Sequence, residues 1–136
     1  MTLALSARNK LAASTARRND IDLAATPGKI LLYPDPRPTT GAVASGALAI
    51  LILSDPCGTV DEAGLHLTAP LPAQATEAGL IRWARIVDGD DNFVLDGDVR
   101  LPTDTDVGIA DFLIDVAQVY PGSFINLVAA TLAEGG

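Results

Sequence analysis

The alternation of apolar and polar positions after residue 27 predicts short strands joined by turns. Four apolar runs have the length of strands, namely residues 29–33, 47–53, 64–68 and 78–88. An acidic segment, residues 88–91, follows the longest run, and residues 92–95 return from it, which predicts a hairpin. This succession of strands and turns indicates a mainly β fold, either an antiparallel β-sandwich or an open barrel.

The run 47–53 is apolar at every position, so both of its faces are apolar. Leu48, Ile50 and Ile52 share one face. The other face consists of Ala47, Ala49, Leu51 and Leu53. We therefore expect a strand that is covered on both sides, either in the centre of a sandwich or in an interface between chains.

The long strand 78–88 carries the only tryptophan and two arginines. Ile81, Trp83 and Val87 alternate on one face. Arg82 and Arg85 must reach a sheet edge or pair with acidic residues, because an arginine is rarely buried without a partner. An exposed Trp83 could stack on a sugar or a base, but its apolar neighbours favour a place in the core.

The last third of the chain predicts a second hairpin. Residues 111–116 alternate, residues 120–123 contain the turn-forming pair Pro-Gly, and residues 124–132 return with Ile125, Leu127 and Ala129 on one side. A helix over residues 109–120 is the alternative, since apolar residues there also fit helical spacing. Strands are favoured.

The first 25 residues predict a helix over 3–25 that is interrupted near Asn19. Its apolar stripe is weak, so the helix would be marginal alone and needs either the body of the protein or a partner to order it. Thr26 and the Pro-Gly pair after it end the helix. We therefore divide the chain into a basic helical arm, residues 1–26, and a single β-rich domain, residues 27–136.

Charge is distributed unevenly over a chain whose net charge is −8. Residues 1–37 hold six basic and three acidic residues, whereas residues 38–136 hold three basic and fourteen acidic residues. An acidic body repels phosphate, so we expect no nucleic-acid partner. We also expect no membrane partner, because the longest mainly apolar run, residues 41–53, is too short to span a bilayer.

The apolar content predicts contacts between chains. Hydrophobic residues make up 49% of the chain, and the mean hydropathy is +0.31. A domain of 136 residues has much surface for its volume, so some apolar surface should pack against other copies in a homo-oligomer. The candidate partner-binding residues are Arg8, Lys10, Arg17 and Arg18 on the arm, and Leu48, Ile50 and Ile52 on the second strand.

No group of residues predicts catalytic chemistry or a cofactor. A possible calcium loop that starts at Asp88 has Phe93 where glycine is needed and Val99 where glutamate is needed, so a solvated turn is favoured. A small hydrolase that used Cys57 and His66 would lack a third orienting residue. Asp104 and Asp106 lie in a polar stretch typical of a loop. We expect no catalytic residues, no metal site and no cofactor.

Four segments resemble small structural proteins of tailed-bacteriophage and prophage particles. They are residues 28–33 (Gly-Lys-Ile-Leu-Leu-Tyr), 51–56 (Leu-Ile-Leu-Ser-Asp-Pro), 81–90 (Ile-Arg-Trp-Ala-Arg-Ile-Val-Asp-Gly-Asp) and 94–99 (Val-Leu-Asp-Gly-Asp-Val). The order of these segments is similar to that in this family over most of the chain. The departure lies at residues 47–53, where members of the family alternate polar and apolar residues.

The resemblance implies a non-enzymatic virion protein. The implied role is a capsid cement, or decoration, protein on the capsid surface, made in the cytoplasm of the bacterial host. Its implied partner is the major capsid protein. A neck or tail component is the alternative within this class, and a surface module that binds a carbohydrate or receptor through Trp83 is the alternative from another class.

Overall fold

The computed structural model describes residues 6–61, 63–105 and 111–132. This part of the chain contains one helix and eleven strands. Their bounds are α1 Ala7–Ile21, β1 Lys29–Pro34, β2 Ala49–Ile52, β3 Gly58–Asp61, β4 Gly64–Leu67, β5 Ala73–Gln74, β6 Gly79–Val87, β7 Phe93–Arg100, β8 Phe112–Ile114, β9 Gln118–Val119, β10 Phe124–Ile125 and β11 Leu127–Leu132.

Nine of these strands form one curled sheet. Eight follow the order β2-β1-β6-β7-β8-β11-β4-β3, β9 pairs with β6, and β5 and β10 form a separate pair. All the pairings are antiparallel except β7 with β8. The Ser54 amide donates to the Thr68 carbonyl at 2.8 Å, which joins the end of β2 to the end of β4. The mainly β fold with an N-terminal helix is confirmed, in the form of an open half-barrel.

The main core fills the inside of this curled sheet. Alternation along the strands turns Ile30 and Leu32 of β1 inward, together with Ala84 and Ile86 of β6. Phe112 in β8 is fully buried in the same cluster. The apolar runs of the sequence therefore supply the core from many short strands.

The prediction of a central place in a sandwich for residues 47–53 is wrong, because β2 is the last strand on one side of the sheet. The alternative, an interface with another chain, stays a prediction. Leu51 is fully buried, but the side chains of Ile50 and Ile52 are 46% and 47% exposed on the opposite face. Leu48 precedes the strand and is only 3% exposed, so it belongs to the core and not to a partner surface.

The antiparallel pairing predicted for the C-terminal hairpin is found between β8 and β11. The strands next to the turn at residues 120–123 pair elsewhere, β9 with β6 and β10 with β5. The segment 112–114 is a strand, so the helical alternative is wrong for these residues; residues 109 and 110 lie outside the described ranges. The returning segment divides into β10 and β11, with a register shift between Leu127 and Ala129. As a consequence Ala130 and Leu132 face the core in place of Ala129.

Helix α1 is shorter than predicted and packs on the body of the protein. Ser6 caps its N-terminus by accepting a hydrogen bond from the Asn9 amide at 3.1 Å, and Asp22 follows its last residue. The helix contacts β3 and β4, and Ile21 is fully buried in the core. The body of the protein therefore orders this helix, which is one of the two alternatives predicted from the sequence. Residues 3–5 lie outside the described ranges.

Replacing Ser14 by alanine should stabilise the protein. The Ser14 hydroxyl is fully buried and has no hydrogen-bond partner among the described residues. Ser14→Ala removes an unsatisfied polar group and improves helix propensity, so urea unfolding should show a free energy of unfolding higher by about 1 kcal/mol. The control, Ser6→Ala, should lower it by about 1 kcal/mol through loss of the cap. A destabilised Ser14→Ala protein would contradict the expectation.

Candidate functional site

A second cluster of side chains, all buried except the 42% exposed Phe93, lies on the outer face of the sheet, opposite the main core. Tyr33 on β1 is the register partner of Trp83 on β6, and Arg85 on β6 is the partner of Asp96 on β7. Register partners project to the same side of a sheet, so these four side chains share one face. Phe93 joins them beside Arg85. We call these five residues the outer-face cluster.

Arg85 is the centre of this cluster. Its Nε and one terminal nitrogen donate to the two carboxylate oxygens of Asp96 at 2.7 and 3.1 Å. The side chains of Arg85 and Asp96 are 9% and 0% exposed. The guanidinium carbon also lies 5.6 Å from the centre of the Trp83 ring and 5.1 Å from that of Phe93. Hydrogen bonding to Asp96 raises the pKa of Arg85, so the pair stays charged.

Trp83 is buried in the outer-face cluster. Its ring stacks on Tyr33 with centroids 4.4 Å apart, and its indole nitrogen donates to the Pro34 carbonyl at 2.8 Å. The prediction of a buried Trp83 is confirmed, since the side chain is 2% exposed. It lies outside the main core, however, because the register shift between Tyr33 and Pro34 separates it from Ile81. The indole face is therefore not available to a sugar.

The segment 35–46, which we call the capping loop, covers the cluster. Arg37 donates to the Asp98 carboxylate at 3.2 Å, and the Gly41 amide donates to the Asp96 carboxylate at 3.1 Å. Gly41 has φ of 78°, a conformation that glycine adopts without strain. Residues 35–46 contain no helix or strand.

A pocket of about 240 Å³ opens between the capping loop and the sheet. Its lining consists of Tyr33, Pro34, Asp35, Pro36, Pro38, Val43, Ala44, Ser45 and Trp83. Burial raises the pKa of the Tyr33 hydroxyl, so this group stays neutral at physiological pH. The pocket is therefore a small site of aromatic and proline rings with one carboxylate, Asp35.

The acidic turn after β6 is organised by Asp88. Its carboxylate accepts hydrogen bonds from the amides of Asp90 and Asn92, both at 2.9 Å, and from the Asn92 side chain at 3.1 Å. The predicted hairpin turn is confirmed. Within residues 6–61, 63–105 and 111–132, no three His, Cys, Asp or Glu side chains are grouped so that they could hold a metal ion.

Cys57 and His66 do not form a nucleophile–base pair. The two ring nitrogens of His66 contact Asp61 at 2.9 Å and Thr131 at 3.1 Å. Cys57 lies buried beside Asp22, and burial, reinforced by that carboxylate, raises the pKa of its thiol to about 12. Of the two loop carboxylates, Asp104 accepts a hydrogen bond from the Leu101 amide at 2.7 Å, and Asp106 lies outside the described ranges.

The predicted partner-binding residues lie on two surfaces. Arg8 on α1 is exposed, and Lys10, Arg17 and Arg18 are half-buried. Ile50 and Ile52 lie on the exposed face of β2. A partner for either surface stays a prediction.

The pocket was missed from the sequence, because only the loop conformation brings residues 34–45 over Trp83.

No protein-family model, no curated protein and no solved structure matches this chain. The only helix in the described ranges is too short and too polar to cross a membrane. The structure by itself defines the class as a mainly β protein with one N-terminal helix.

Loss of Asp96 should destabilise the protein far more than loss of Asp98. Asp96→Ala leaves the Arg85 charge buried without its partner, which costs about 3–5 kcal/mol. Asp98 is a more exposed partner of Arg37, so Asp98→Ala should cost about 1 kcal/mol or less. Urea unfolding followed by Trp83 fluorescence measures both effects. Equal losses of stability in the two variants would contradict the central role of Arg85.

The turn at Asp88 should make stability depend on pH in the acid range. Hydrogen bonds from Asn92 and Asp90 lower the pKa of Asp88 in the folded protein. The contribution of Asp88 to the free energy of unfolding is therefore fully present above its unfolded pKa of about 3.9 and is lost as the pH falls through its folded pKa. Asp88→Ala should therefore be less stable than the parent at pH 7.

The difference between Asp88→Ala and the parent should shrink as the pH falls below about 4, because the unfolded parent then binds a proton at Asp88 more readily than the folded parent does, and it should vanish below the lowered folded pKa. Urea titrations at a series of pH values measure it. Asp90→Ala is the matched control, because the Asp90 side chain makes no hydrogen bond to the described residues. A deficit in Asp88→Ala that stays constant down to the acid range would refute this role.

Proposed function

We propose that this chain is a non-enzymatic structural protein of a tailed-phage particle. Its role is that of a capsid cement protein, which binds the major capsid protein and other copies of itself on the capsid surface. The resemblance of four sequence segments to such proteins supports the proposal. So does one structural observation, an uncharged apolar surface on a strongly acidic chain.

This surface is built from two neighbouring segments, residues 45–54 and 67–76. Neither contains a charged residue, although the chain carries a net charge of −8. Hydrogen bonds at both ends hold them side by side, from Ser54 to Thr68 at 2.8 Å and from Thr76 to Leu48 at 2.9 Å.

Apolar side chains project from both segments. Ile50 and Ile52 are about half exposed, and Leu71 is 71% exposed. Burying them against another protein is favourable, since each removes apolar area from water. The two segments contain no carboxylate, so they add no repulsion towards an acidic neighbour. Lys29, the register partner of Ile52, borders them and is paired with Asp91. Exposed apolar side chains on both segments suit adhesion to another protein.

The basic side chains of α1 supply a complementary attraction. Arg8 and Lys10 lie in the first part of the helix, whereas most of the acidic residues lie on the body. A basic patch of this kind favours an acidic neighbour and orients the two surfaces on approach. Electrostatic attraction and apolar burial would then act at different places on the same molecule.

The carbohydrate-binding alternative loses its main support. It required an accessible indole face on Trp83, but that ring is 2% exposed and stacked on Tyr33. The neck or tail alternative requires the same kind of surface as a cement protein and differs from it in the number of copies per particle.

Purified particles of the phage or prophage that encodes this chain provide the test. Quantitative mass spectrometry should find the chain at a copy number comparable to that of the major capsid protein. A handful of copies per particle would replace the cement role with a neck or tail role. Complete absence from particles would overturn the proposal.

A paired substitution tests which surface attaches the protein. Ile50→Asp with Ile52→Asp places charge in the apolar contact, so occupancy on particles should fall about tenfold or more. Val128→Asp is the matched control, because Val128 is 53% exposed on β11 and lies outside the uncharged surface. Equal occupancy of both variants would exclude β2 as the attachment surface.

A further inference from the structure

We infer that the Thr131 hydroxyl is a covalent modification site, which accepts an acyl group from an activated ester with His66 as the general base. Asp61 positions the His66 ring for this step. The three side chains meet on the strands β3, β4 and β11. The inference goes beyond the proposed function and does not depend on it, because a single acylation of the chain needs no enzymatic turnover.

The strand register brings the three side chains together. Thr131 on β11 is the register partner of His66 on β4, so their side chains project from the same face of the sheet. The His66 Nδ1 atom lies 3.1 Å from the Thr131 Oγ1 atom, and the His66 Nε2 atom lies 2.9 Å from the Asp61 carboxylate. Two hydrogen bonds therefore link a hydroxyl to a carboxylate through one imidazole ring.

Asp61 is held in place by the turn that follows it. Its Oδ1 atom accepts hydrogen bonds from the amides of Ala63 at 2.8 Å and Gly64 at 3.2 Å. The hydrogen bond with His66, supported by these amides, lowers the pKa of Asp61, so the carboxyl group is ionised at neutral pH. An ionised carboxylate accepts hydrogen bonds and donates none.

The ionised Asp61 determines which nitrogen of His66 carries the proton. Because Asp61 only accepts, the His66 Nε2 atom must donate the hydrogen bond between them. In the neutral ring the Nδ1 atom then has a free lone pair, and the Thr131 hydroxyl donates to it. A hydroxyl beside a base that a third group orients is the arrangement that activates a hydroxyl as a nucleophile.

The reaction that follows from this geometry is acyl transfer. The Thr131 oxygen attacks the carbonyl carbon of the ester and forms a new carbon–oxygen bond, while the hydroxyl proton passes to the His66 Nδ1 atom. The bond from the carbonyl carbon to the leaving group then breaks, and the leaving group departs with the electron pair. Asp61 stabilises the imidazolium ion, which returns its proton to water. The product is a threonine ester.

The exposure of the site decides which acyl donors fit. The side chains of His66 and Asp61 are 37% and 60% exposed, and Thr131 is exposed. A small ester can therefore approach the hydroxyl, but the open site gives little binding energy to a large one. Small acyl groups on a good leaving group, such as aryl esters or thioesters, are the class of donor that this site suits.

Thr59 provides an internal control for the activation of Thr131. It is the register partner of His66 on β3, which lies on the other side of β4, and it is exposed like Thr131. The Thr59 hydroxyl makes no hydrogen bond to the residues that the structure describes. The two threonines flank the same ring, and only Thr131 bonds to it.

Treatment of the purified full-length chain with p-nitrophenyl acetate tests the inference. Peptide mass spectrometry should find acetyl groups forming about 100-fold faster at Thr131 than at Thr59, because a positioned general base accelerates such steps by about 10²–10⁴. Hydroxylamine should remove the acetyl group from Thr131, as expected for an ester, and leave acetyl-lysine intact. Equal rates at the two threonines would overturn the inference.

Two variants separate the roles of His66 and Thr131. His66→Gln should lower acetylation of Thr131 to the rate of Thr59, because the base is lost, and an undiminished rate in the folded variant would overturn the inference. Thr131→Val should slow the release of p-nitrophenol. Undiminished release by a folded Thr131→Val chain would show that His66 itself attacks the ester. Circular dichroism verifies the fold of both variants.

Nitrogen NMR of the only histidine tests the positioning role of Asp61. The neutral His66 ring should carry its proton on the Nε2 atom, and a proton on the Nδ1 atom would overturn the role of His66 as the base. Asp61→Asn keeps an acceptor for the amides of the turn but removes the charge. It should raise the Nδ1–H fraction and slow acetylation of Thr131 about tenfold.

An unchanged tautomer and an unchanged rate in Asp61→Asn would remove Asp61 from the site. All of these measurements use the isolated chain. Their failure leaves the proposed role in a particle standing, and absence of the chain from particles leaves an acylated Thr131 standing.

Discussion

The buried ion pair of Arg85 and Asp96 is the constraint on which the outer half of this structure depends. A charged arginine on a strand that is otherwise almost wholly buried needs a carboxylate and a shield from water. Asp96 supplies the carboxylate from the neighbouring strand, while Trp83 and Phe93 supply the shield. Since Asp96 also accepts the Gly41 amide, the same carboxylate holds the capping loop against the sheet. The loop conformation, and with it the pocket, follows from the need to satisfy one buried charge.

The sequence predicts the parts of this fold that depend on local pattern. Neighbouring residues determine the strand β6, the acidic hairpin and the start of the helix, through alternation, turn residues and a cap. The prediction that Arg85 reaches a sheet edge or pairs with an acid also follows from local chemistry, because an unpaired buried charge is too costly, and the structure has the pairing. What the pattern could not supply was the partner: Asp96 is one of several nearby carboxylates, and only the strand register selects it.

The wrong predictions concern long-range placement. An apolar run on both faces suits a central strand, an interface strand or an edge strand whose outer face is exposed, and sequence pattern does not separate these. The structure places β2 at the edge, so Leu48 faces the core while Ile50 faces solvent. The C-terminal segment shows the same effect, because a register shift after Leu127 reverses which residues point inward. The C-terminal error arises from one residue of shift, which changes the face of every residue that follows, whereas the pairing of β2 with β1 contains no register shift.

The two faces of the half-barrel have different physical roles. Inside, aliphatic side chains from many short strands supply most of the burial, together with one aromatic residue, Phe112. Outside, Tyr33, Trp83 and Phe93 lie in one cluster with Arg85, and the rings of Trp83 and Phe93 contact its guanidinium group. The neighbouring segments 45–54 and 67–76 contain no charged residue and present the exposed side chains of Ile50, Ile52 and Leu71. Leaving Leu71 and Val43 exposed costs the isolated chain favourable burial, which contact with another protein would recover.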